Sequence, residues 1–167
     1  MDKKIFEQLY TIDVSDKIEK KNDLSYLSWA WAWAELMKVY PQATYEIKKF
    51  EDGKPYLFDE KLGYLVFTTI TIDNDTKEMW LPVMDGSNKA MKDHPYKYQV
   101  KNWKTGQLEE RTVQPATMFD INKSIWRCLV KNISMFGLGL YIYAGEDLPE
   151  EIKEEIKNDR WEGLSEK

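Results

Sequence analysis

Lys123, Arg127 and Lys131, set four residues apart, are the first candidates for chemistry. On a helix that spacing lines them along one face, opposite an apolar stripe. No acid interrupts the row; Asp120 comes before it, where a negative charge suits a helix N-terminus. Such a cationic ridge can track a phosphate backbone, and a solvated helix face has the same pattern. The second group is the loop Asp85–Pro95, where Gly86, Ser87 and Asn88 stand beside Lys89 and Lys92. Amides, the Asn88 side chain and two ammonium groups can wrap a phosphodiester; an ordinary surface connection has a similar composition. The third is Trp29-Ala30-Trp31-Ala32-Trp33-Ala34. On a helix Trp29 and Trp33 share a face and Trp31 points elsewhere. Such rings either stack on bases or anchor the helix to a core or a neighbouring subunit.

Other chemistries lack their residues. There is no G-x-x-x-x-G-K-[ST] motif, so no P-loop nucleotide site is expected. His94 and Cys128 are the only residues of their types, which argues against a zinc site or a Cys–His nucleophile pair. Asp73 and Asp75 could hold a metal, as in some nucleases, but Asp73-Asn74-Asp75 reads more simply as a hairpin turn. Lys104-Thr105-Gly106 has no S-x-x-K partner and reads as a turn too. The expectation is a binding protein with no catalytic residue, metal or cofactor.

The chain of 167 residues is 43% hydrophobic, the composition of one globular domain with a real core. Aromatic residues make up 14%, enough for both a core and a stacking surface. The net charge of −5 looks wrong for a nucleic-acid binder, but its distribution matters more. Residues 145–167 hold nine acidic and four basic side chains, which leaves the body neutral. With a single cysteine and no long apolar run, the expected setting is a reducing cytoplasm, without a membrane.

These residues need elements to hold them. A short helix is expected over 4–10, and a second from a Ser25 or Ser28 cap to about Tyr40, where Pro41 ends it. Strands are expected over 43–50, 54–59 and, with the clearest β-branched pattern, 63–72. A return strand over 77–84 follows a turn at Asn74-Asp75. A hairpin of 96–103 with 108–113 comes next. Thr117 caps a long helix of about 118–136, with Phe119, Ile121, Ile125, Trp126, Leu129, Ile133 and Phe136 as its apolar positions and Gly137 and Gly139 stopping it. A short strand over 140–144 and a charged helix over 149–159 complete the chain. The fold class is α+β, a curved antiparallel β-sheet backed by one long helix. Residues 1–148 form the binding domain and 149–167 an acidic tail.

Three stretches resemble motifs of phage single-strand annealing proteins of the Sak type. The first is Leu24-Ser25-Tyr26-Leu27-Ser28-Trp29-Ala30-Trp31-Ala32-Trp33, and the second is Met84-Asp85-Gly86-Ser87-Asn88-Lys89-Ala90. The third runs from Thr117 through Arg127-Cys128-Leu129-Val130-Lys131 to Phe136-Gly137-Leu138-Gly139-Leu140 and on to Leu148. Together they cover roughly residues 24–149. A more distant similarity is to the Rad fifty-two superfamily, in which a basic helix precedes a Phe-Gly pair, as Lys131 precedes Phe136-Gly137 here. The resemblance implies ATP-independent binding and annealing of single-stranded DNA in phage recombination, inside a bacterial host. It also implies Lys131 and Arg127 in the DNA groove, and a homo-oligomeric ring or filament. The tail would restrain unspecific binding or recruit a host single-strand binding protein or a phage exonuclease. Two other classes stay open on the residues alone: a module for double-stranded or structured RNA, and a metal-dependent nuclease acting through Asp73 and Asp75.

Overall fold

A computed structural model describes residues 3–21 and 24–144. The helix expected at 149–159 lies outside the described residues. Within them the chain is mixed α and β, with three antiparallel sheets and three α-helices. Helix α1 spans Lys3–Tyr10 and leads through a 3-10 turn at Ser15–Lys17 into β1 (Ile18–Lys21) and β2 (Leu24–Leu27), which pair as a two-stranded ribbon. Helix α2 spans Trp29–Val39. Strands β3 (Thr44–Ile47), β4 (Leu57–Asp59), β5 (Gly63–Ile72) and β6 (Asp75–Pro82) make the largest sheet. Strands β7 (Tyr96–Lys101) and β8 (Leu108–Val113) form a separate hairpin before α3 (Met118–Ser134).

Strand β5 is the axis of the large sheet, and its side chains alternate as a half-covered strand must. Val66, Thr68, Ile70 and Ile72 are buried on one side. β6 pairs along one edge, from Leu65↔Pro82 to Ile72↔Asp75. β3 and β4 share the other edge: β3 meets Thr68–Thr71 and β4 meets Gly63–Leu65. The two short strands thus pair with β5 instead of returning on one another.

Helix α3 lies against β5 and β6. Its first half places Ile121, Ile125 and Cys128 among Val66, Leu81, Val83 and Met91. Its second half places Leu129 and Ile133 among Ile5 and Leu9 of α1, Leu36 of α2, and Ile70 and Ile72 of β5. The helix therefore bridges two apolar clusters. Between them sits a buried polar tie. Asn132 Nδ2 donates to the Thr68 carbonyl at 3.2 Å, the Lys77 carbonyl at 3.1 Å and Thr68 Oγ1 at 3.3 Å. These bonds reach both strands and fix how the helix sits on them.

Two local expectations change. Residues 140–144 are not a strand: Leu140–Tyr143 is a 3-10 turn, closed by Ile142 N donating to Gly139 O. The reason lies in the preceding glycines. Gly137 has φ +118, and a Cβ there would sit 2.8 Å from the Phe6 carbonyl oxygen, so the chain folds tightly over α1. Phe119, expected among the apolar positions of α3, faces solvent at 72% exposure. The β1–β2 ribbon is an addition that sequence patterning did not indicate.

Candidate nucleic-acid interface

The cap of α3 is the two-way arrangement its sequence suggests. Thr117 Oγ1 accepts from Asp120 N while an Asp120 carboxylate oxygen accepts from Thr117 N at 2.8 Å. With the helix start fixed and the apolar face inward, Asn122, Lys123, Trp126, Arg127 and Val130 come to line a groove of about 610 Å³. One wall is the β1–β2 ribbon and the start of α2, contributing Lys20, Tyr26 and Trp29. The other is the loop after β6, through Asp85 and Gly86.

That loop is ordered. Asp85 Oδ1 accepts from the amides of Ser87 and Lys89, each at 2.9 Å, and the Met84–Ala90 bridge closes its base. Asn88 takes φ +59, a left-handed conformation that asparagine tolerates. Its Oδ1 accepts from Arg127 Nη2 at 3.4 Å, so the loop and the helix meet. The guanidinium also stands 5.2 Å from the centroid of the Tyr26 ring. Arg127 is thus held from both walls. Neither it nor Lys123 forms an ion pair with a carboxylate among the described residues.

The other three expected cations lie apart from this groove. Lys131 stands over the Tyr143 ring at 5.7 Å, beyond the groove lining. Lys89 and Lys92 lie against Tyr98 and Tyr96 of β7, at 4.9 and 5.0 Å from the ring centroids. The three tryptophans of α2 separate. Trp29 joins the groove and stacks on Trp126, with ring centroids 4.6 Å apart. Trp33 meets Tyr45 edge-on at 5.2 Å and packs beside the core. Trp31 lies elsewhere, with Lys17 Nζ 4.0 Å from its centroid.

Sequence reasoning missed Lys20, Tyr26 and Asn122, and the places of Phe119 and Trp126 in the groove lining. The last two carried a signal, since both flank Lys123 and Arg127 on α3, but periodicity assigned them to the core. Asp73 and Asp75 have ordinary partners: Asp73 accepts from Gln42 Nε2 at 2.7 Å, and Asp75 pairs with Lys77 at 3.5 Å. Among the described residues no cluster of three or more His, Cys, Asp or Glu could hold a metal. Cys128 is buried, and burial pushes its thiol pKa up, against hydrogen bonds from Thr68 and the charge of Lys131.

The family model for the Sak single-strand annealing protein matches residues 4–164. The chain belongs to this family. The match spans the groove, both of its walls and the whole of α3. Membership points to annealing of single-stranded DNA in recombination. No curated protein and no solved structure matches the chain. Among the described residues no helix is long and apolar enough to cross a membrane.

Proposed function

We propose that the chain binds single-stranded DNA along the groove beside α3 and anneals complementary strands without nucleotide hydrolysis, in phage recombination within a bacterial host. The observation that carries this reading is Arg127, held between Asn88 and Tyr26 and free of carboxylate pairing among the described residues, in a chain of an annealing family. Lys123 and Arg127 neutralise phosphates in the groove. Lys131, Lys89 and Lys92 extend the cationic path beyond it, and Asn88 positions Arg127. Phosphate neutralisation removes the repulsion between two strands. Stacking in the new duplex, about 1.4 kcal/mol per base-pair step, drives the product. A protein working this way needs no catalytic group, metal or cofactor.

The same reading takes α3 on β5 and β6 as the helix-behind-curved-sheet arrangement of annealing proteins, including the Rad fifty-two superfamily. It also makes the working form a homo-oligomeric ring or filament, because avidity along a strand multiplies weak contacts. On the sheet face turned away from α3, Trp80, 59% exposed, lies opposite Phe67, an aromatic spot among Thr69, Thr71, Thr76 and Glu78 that a second copy would cover. The acidic segment 149–167 restrains unspecific binding or recruits a partner such as a single-strand binding protein or an exonuclease.

Competition among single-stranded DNA, duplex DNA and duplex RNA tests the reading. Single-stranded DNA should displace a labelled oligonucleotide at the lowest concentration. Preference for duplex RNA would replace this function with a structured-RNA module.

A further inference from the structure

A track for phosphates needs cations and amides, and of the rings in this groove only Tyr26, which holds Arg127, has a part in it. Yet four aromatic side chains, Tyr26, Trp29, Phe119 and Trp126, converge on the groove that holds Lys123 and Arg127. Single exposed apolar residues are commonplace, but four around one concavity form a surface with a use. The groove volume of about 610 Å³ falls within the roughly 300–1,000 Å³ of sites that take small organic groups.

The rings are held in place. Trp126 Nε1 donates to Asn122 Oδ1 at 3.2 Å, and Tyr45 meets the Trp126 ring edge-on at 6.1 Å. Trp29 lies on Trp126 with an interplanar angle of 26° and is still 44% exposed. A platform fixed before binding loses little entropy when it is used. Cations stand on the same helix: Lys123 Nζ lies 5.6 Å from the Phe119 ring, and Arg127 is one residue beyond Trp126. A flat apolar platform with cations near its rim matches the two halves of a nucleotide, ring and phosphate.

We propose that the groove holds one unpaired nucleobase of the bound strand, stacked on Trp29 beside Phe119, with the adjoining phosphates on Lys123 and Arg127. This rests on the single-strand reading above and adds which part of the nucleotide enters the protein. The subsite distinguishes single from double strands, since a paired base is stacked inside a duplex and cannot enter without unpairing. It tolerates any sequence, because every base has a π face. One base per protomer is withheld from pairing while its neighbours stay outward, and that base leaves as the duplex closes.

The test uses the full chain with two probes of equal length: oligothymidylate, and an abasic oligomer with the same phosphates and no bases. Oligothymidylate should bind roughly tenfold more tightly than the abasic probe and quench tryptophan fluorescence. Trp29→Ala and Phe119→Ala should lower oligothymidylate affinity toward the abasic value and leave abasic binding unchanged. Phe119 is mostly solvent-exposed, so its variant keeps the test valid if Trp29→Ala disturbs the fold. Equal affinity for both probes, without quenching, overturns the base subsite and leaves the phosphate track standing. Failure of both probes to bind overturns the single-strand reading itself, and the subsite with it.

Discussion

Arg127 Nη2 donates to Asn88 Oδ1 across 3.4 Å, joining the long helix to the loop after β6 over 39 positions of sequence. The bond is long and its energy modest. Its consequence is positional: it holds a planar five-donor cation against Tyr26, in the lining of the groove.

Charge removal in the groove should therefore change binding in a recognisable way. The double variant Lys123→Glu and Arg127→Glu should weaken single-strand binding and flatten its salt dependence by about 0.7 per lost phosphate contact on a log–log plot. Arg127→Lys keeps the charge but lacks the planar fork, so it should lose affinity at nearly unchanged slope. Salt titrations followed by fluorescence anisotropy report both numbers. Wild-type affinity and slope in the double variant would remove α3 from the binding path.

Asn132 has a separate, structural task. Asn132→Ala removes three donations to Thr68 and Lys77 and should cost about 1–3 kcal/mol of stability. The midpoint should fall by about 2–4 °C for each kcal/mol in a chain of this size. Thermal unfolding measures it. The salt slope of DNA binding, read well below the new midpoint, should not change.

Cys128 gives a pH prediction. Burial holds its folded-state pKa above the ordinary value of 9.0. The unfolded chain therefore binds fewer protons than the folded one once the pH passes 9.0. Below that pH the difference vanishes and the full stability is present; above it this contribution is progressively lost. Alkylation should likewise be slow in the folded protein and fast in denaturant, because the thiolate is the nucleophile. Cys128→Ser should reduce the alkaline loss, as measured by denaturant melts across that range.

Strand β5 and helix α3 were legible in the sequence because each carries its own signal. Gly63–Ile72 alternates toward one buried side, and the Thr117–Asp120 pair marks where α3 begins. The β1–β2 ribbon was not legible: Ile18-Glu19-Lys20-Lys21 has a single apolar residue, and cross-strand pairing alone makes it a strand. The groove was half legible. Lys123 and Arg127 follow from helical spacing, while Phe119 and Trp126 carry the same apolar signal as Ile125. What separates them is which residues have neighbours above the helix, and that depends on Tyr26, Trp29 and Asp85, brought in from distant sequence. Lys131, Lys89 and Lys92 show the reverse case, with the right charge but a place outside the lining.

Annealing itself is the most direct test. Two complementary oligonucleotides, one with a fluorophore and one with a quencher, are mixed at low and moderate salt with no ATP and with chelator present. The account predicts that the protein speeds quenching well beyond the buffer rate, that a non-complementary strand gives no signal, and that the acceleration fades as salt rises. Tight strand binding with duplex forming no faster than in buffer would contradict it and leave a protein that only covers single strands.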